Sequence, residues 1–73
     1  MREDMIVELA RIFLDTPVTV YFQNEYIKGV WFSIDMHTNA IGVKREKGNR
    51  SVYIDIDTIV AVEVDDGYRN DDE

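Results

Sequence analysis

Seventy-three residues make one domain, near the lower size at which a core holds without staples, and the absence of cysteine excludes disulfides. No apolar run approaches the ~20 residues that span a bilayer, and the opening MREDMIVELARIF sets acids beside Arg2 and lacks a small-residue cleavage site, unlike a secretory signal. The net charge of -7 disfavours phosphate backbones, but it is uneven: residues 65–73 carry -4 and residues 44–50 carry +3. Residues 1–64 then hold only -3, a modest argument against nucleic acid. The expectation is a soluble, cytoplasmic chain with no membrane partner.

In chain order, residues 2–15 read as a helix. Met5, Leu9, Ile12 and Phe13 recur at helical spacing with Ile6 beside them, Glu3 and Asp4 suit the positive end of the dipole, and Pro17 disfavours helical geometry at the residue before it. From Pro17 the chain reads as strands. Residues 18–22 alternate, with Val18, Val20 and Phe22 on one face. Gln23-Asn24-Glu25 is a turn, and a second strand runs from Tyr26 towards Asp35, with Gly29 inside it marking a bend or a close backbone approach. A third strand covers about residues 37–45 and ends in the hairpin Glu46-Lys47-Gly48-Asn49-Arg50. A fourth, residues 51–55, leads through Ile56-Asp57 into a fifth, residues 58–64. Short turns between so many strands predict a mainly β fold: the helix, then a small, strongly bent five-stranded antiparallel barrel. Residues 65–73 read as an acidic, disordered tail. The last two strands, SVYIDI and TIVAVEV, are rich in residues that a single small chain can hardly bury, and open edges invite pairing with another chain.

The turn between the second and third strands carries Asp35, His37 and Asn39 within five positions. Asp and Asn suit a hairpin tip by bonding nearby backbone, so alone the turn is only a turn. Its spacing says more. From Gly29, an apolar Trp31 lies two on, Asp35 six, His37 eight and Asn39 ten, with Ile41 and Val43 closing the pattern. This resembles the first signature motif of the Sm, Sm-like and Hfq family, roughly G-x-apolar-x-x-x-D-x-H-x-N-x-apolar. Thr38 stands where the family usually has Met, and Asn24-Glu25 where it often has Asn-Gly. The resemblance covers about residues 1–64, though only this motif is specific. It implies an Sm-like, SH3-like barrel with the helix across its open end. It also implies self-association, the fourth strand of one subunit pairing with the fifth of the next in a homo-oligomeric ring of five to seven, and single-stranded RNA at the pore. Carried over, His37 stacks on a base, Asn39 reads its edge, commonly uracil, and Asp35 orients the loop. The residue types suit the task, because unpaired RNA offers π-faces and Watson–Crick edges.

The second half of the site departs from the family. Where Sm-like proteins usually carry Arg-Gly and Hfq carries Lys-His, this chain has Asp55-Ile56-Asp57-Thr58. Asp55 and Asp57 belong to the site by position only, and carboxylates gathered around a pore repel a polyanion, so RNA binding is expected to be weak. Lys44, Arg45, Lys47 and Arg50 form a second, basic surface that is either another RNA contact or a solvated turn. A lone His beside an Asp lacks a nucleophile, one His is too few for an ordinary metal site, and no Gly-rich phosphate loop is present. The chain reads as a non-enzyme without metal or cofactor. Two functions stay open: an Sm-like RNA-binding ring, or a ring-forming protein-interaction scaffold with weak or no affinity for RNA.

Overall fold

The computed structural model describes residues 1–65. Helix α1 (Glu3–Phe13) is followed by β1 (Thr16–Phe22), β2 (Glu25–Asp35), β3 (Ala40–Arg45) and β4 (Ser51–Asp55). A one-turn 3-10 helix (Ile56–Thr58) then precedes β5 (Ile59–Val64). Among the described residues no helix is long and apolar enough to cross a membrane. Except for Asp65, the acidic tail expected over residues 65–73 lies outside the described residues.

The strands form one antiparallel sheet in the order β4-β3-β2-β1-β5. β4 and β5 are neighbours in sequence but opposite edges of the sheet, and that constrains its shape. In a flat sheet these edges would lie about 19 Å apart, four strand spacings. The four backbone steps from Asp55 to Ile59 reach at most about 15 Å even when fully stretched, and they include a helical turn. The sheet therefore has to curl, bringing its two edges together at the end that the 3-10 turn bridges.

Local features provide the bend. Phe32 is an extra residue between the pairs Trp31↔Val43 and Ser33↔Gly42, a bulge that increases the twist of β2. Gly29 lies so close to β3 that a Cβ there would overlap the Lys44 carbonyl oxygen. Gly42 leaves room for the Phe32 ring, which meets Tyr53 edge-on at 6.0 Å. A closed barrel is nevertheless not formed. The Ile56 amide donates to the Asn39 carbonyl at 2.9 Å, extending the β3–β4 pairing by one step. The chain then crosses to the free side of β1, where Ile59 opposes Phe22. β4 and β5 thus each pair on one side only, and both remain open edges among the described residues.

Inside the curl, Val20, Trp31, Ile41, Val43, Ile56 and Ile59 are buried together, with Val18, Ile27 and Ile54 completing the layer. Trp31 satisfies its indole N–H on the Ser33 carbonyl at 3.0 Å, so its full burial leaves no orphan donor. The helix covers this core with a face one step round from the predicted stripe. Ile6 and Ala10 are the buried positions, and Val7, Leu9 and Phe13 pack beside them. Met5 and Ile12, expected inside, are exposed. Both stripes satisfy helical periodicity, and which of them faces inward depends on the surface beneath the helix. The α-amino group of Met1 donates to the Ile56 and Ile59 carbonyls at 3.0 and 2.7 Å, fastening the helix start to the 3-10 turn.

Candidate functional site

The two loops that sequence reasoning assigned to one site do meet. β2 ends at Asp35 and β3 starts at Ala40 rather than at His37, so His37 and Asn39 both lie in the connecting turn. The turn is held from within: the Asp35 carboxylate Oδ1 accepts from the His37 amide at 2.9 Å. Asn39 takes the left-handed conformation at φ 60°, which Asn tolerates better than most residues. His37 is exposed, whereas Asn39 is half-buried.

Asp55 closes the site from the other side. Its Oδ1 accepts from Asn39 Nδ2 at 3.1 Å and from the Asp57 amide at 3.0 Å. The second bond caps the 3-10 helix, as an Asp at an N-terminal cap does. Thr58 Oγ donates to the Asp55 carbonyl at 2.7 Å and steadies the same loop. With the Ile56 amide donating to the Asn39 carbonyl, two hydrogen bonds join the two loops directly, one from the Asn39 side chain and one to its backbone. Asn39 Oδ1 is enclosed and has no partner. Its orientation follows from Asp55, since turning the amide over would place oxygen against carboxylate.

Sequence reasoning placed Asp55 here by position but missed its partnership with Asn39 and the part played by Thr58. The signal was present: an Asp two residues before a backbone amide it can cap is a local turn pattern. Its reach to Asn39, sixteen residues away, depends on the β3–β4 register, in which Ala40 opposes Asp55. Lys44, Arg45, Lys47 and Arg50 are all exposed and gather at the other end of β3, about 17 Å along the strand from Ala40. The structure does not bring this basic surface into the site. Among the described residues, no group of three or more His, Cys, Asp or Glu side chains is placed to hold a metal ion.

A second feature was not foreseen. On the face of β1 away from the core, Tyr21 and Tyr26 stand 5.9 Å apart beside an open cleft of about 360 Å³ lined by Pro17, Thr19, Tyr21, Lys28, Glu46 and Glu63. The Tyr21 hydroxyl donates to Glu63 Oε1 at 2.7 Å. That bond, followed by lost hydration and the Glu63 charge, raises the phenol above its ordinary pKa of 10.0.

Compared with known protein-family models, curated proteins and solved structures, the chain matches none.

Proposed function

We propose that the chain is an Sm-like subunit that associates through its open edges into a closed ring and holds single-stranded RNA at the turn bearing His37 and Asn39. The observation that carries this reading is the meeting of the two loops, which puts an exposed His37 in the same turn as an Asn39 amide fixed on Asp55, at one end of a curled sheet. An exposed ring and a polar edge-reader are what an unstacked base requires, and stacking contributes about 1–3 kcal/mol per base. The free edges support the assembly. Val60 and Tyr53 are exposed on β5 and β4, and a contact between two different edges propagates head to tail, making a ring where the rotation between subunits closes. Five to seven subunits is the size the resemblance suggests. RNA processing or regulation in the cytoplasm is the setting that goes with it.

One observation favours a second reading, a protein-interaction scaffold. Asp55 already occupies one hydrogen of the Asn39 amide and, with Asp57, puts exposed carboxylates where an RNA backbone would approach. Native mass spectrometry of the purified chain, with and without oligouridine or oligoadenine, separates the two. A single closed species that gains the mass of an oligonucleotide, and loses that gain in His37→Ala and Asn39→Ala, supports the RNA ring. A ring that takes up neither oligonucleotide supports the scaffold. A monomer at high concentration removes both.

A further inference from the structure

Resting on the RNA-binding reading above, we infer that Asp55 makes the site a guanine reader that discriminates against uracil. The argument concerns which donors and acceptors remain once the internal bonds of the site are made. Asn39 Oδ1 is enclosed and cannot meet a ligand. One Nδ2 hydrogen is used on Asp55, so the amide has a single donor left. Asp55 Oδ1 is committed to Asn39 and to the Asp57 amide. Asp55 Oδ2 takes neither bond, on a residue exposed to solvent. A base stacked on His37 therefore meets a donor beside a charged acceptor.

Guanine fits that pair along its Watson–Crick edge. Its O6 accepts from Asn39 Nδ2, while N1–H and the N2 amino group both point towards Asp55 Oδ2, whose lone pairs accept them. Uracil matches the first two positions with O4 and N3–H, but its O2 then faces the carboxylate, oxygen against oxygen. Cytosine and adenine present an amino group and a bare ring nitrogen, the reverse of the order required. The discrimination between guanine and uracil thus rests on one position: an amino group that a carboxylate accepts, or a carbonyl that it repels. A bond to an ionised acceptor is among the stronger hydrogen bonds. An Arg in place of Asp55 would offer donors there instead and reverse the preference.

The test is fluorescence anisotropy with hexaadenylate carrying one central guanine, cytosine or uracil, a design in which a lone guanine cannot form quadruplexes. The expected result is tighter binding of the guanine hexamer than of the uracil hexamer, by about five-fold or more for one such base contact. Asp55→Asn keeps an oxygen for the two inward bonds and puts an amino group where Oδ2 was. The preference is then expected to turn over, with uracil above guanine. Loss of structure alone weakens all hexamers together and does not invert their order. Equal binding of the three hexamers, abolished by His37→Ala, overturns the guanine assignment and leaves the RNA reading standing. Binding of no hexamer, or binding indifferent to His37→Ala and Asn39→Ala, overturns both.

Discussion

Replacing Gly29 by Ala tests the close approach of β2 and β3 on which the curl of the sheet depends. The new Cβ would overlap the Lys44 carbonyl oxygen, lie 2.8 Å from the carbonyl carbon and 2.9 Å from Val43 Cγ1. Two of these atoms are backbone, held in the ladder by the Gly29↔Arg45 and Val30↔Lys44 pairs, so the overlap is relieved only by moving a strand. Overpacking that side chains can absorb costs about 1–3 kcal/mol; a rigid backbone neighbour puts this substitution at about 3 kcal/mol or more on the same scale. Against a stability of about 3–10 kcal/mol for some 65 ordered residues, that is a large share, and it corresponds to a fall in Tm of at least about 10 °C. Gly48→Ala is the internal reference. A Cβ at Gly48 meets nothing within 4 Å, and its cost, about 1 kcal/mol, comes only from holding Ala at φ 71°. Gly42→Ala falls between, because Ser33 Oγ at 2.5 Å and the Phe32 ring at 2.8 Å are side-chain atoms that can turn away. Urea and thermal denaturation of the three variants gives the order directly. If Gly29→Ala proves no worse than Gly48→Ala, the strands are not in contact as described and the account of the bend is wrong.

Three further outcomes are expected. Asn39→Ala and Asn39→Gly both lose the bond to Asp55, but only Ala must also hold φ 60°; urea denaturation should find Ala less stable than Gly by about 1 kcal/mol, and equal stabilities would show that the turn relaxes instead. In the ring proposed above, Val60→Lys places a charge on the open β5 edge, where such charges block pairing; native mass should be that of a single subunit with the far-UV spectrum unchanged, whereas a ring as large as that of the unaltered chain would exclude this edge from the interface. Spectrophotometric titration of the tyrosines should show one phenol ionising above pH 10, moving down towards its ordinary value in Glu63→Gln. With the folded-state pKa raised, the stabilising contribution is fully present below pH 10 and is lost as pH rises through the folded value, so any stability difference between wild type and Glu63→Gln should shrink in that range.

Much of the architecture was legible because strand periodicity is local. Val18 and Val20 are buried where alternation put them, and β4 is the predicted residues 51–55. The left-handed residue in the DMHTN turn is its Asn, the type such positions favour. The helix face was not legible. Two stripes one step apart fit the same period, and only the sheet selects Ile6 and Ala10 over Met5 and Ile12. The start of β3 shifted from His37 to Ala40 because the side chain of Asp35 captures the His37 amide for the turn.

The residues by themselves determined a helix, five strands, a turn rich in hydrogen-bonding side chains and an acidic loop in place of a basic one, because each of these rests on neighbours within a few positions. Tertiary structure decided what those pieces do to one another. The curl is imposed by joining opposite edges of one sheet through three residues. That curl and the β3–β4 register bring Asp55 onto the amide of Asn39. The resemblance to a known family could put Asp55 and Asn39 in one candidate site, but only a folded sheet could commit one oxygen of the Asp55 carboxylate to Asn39 and leave the other out of that bond.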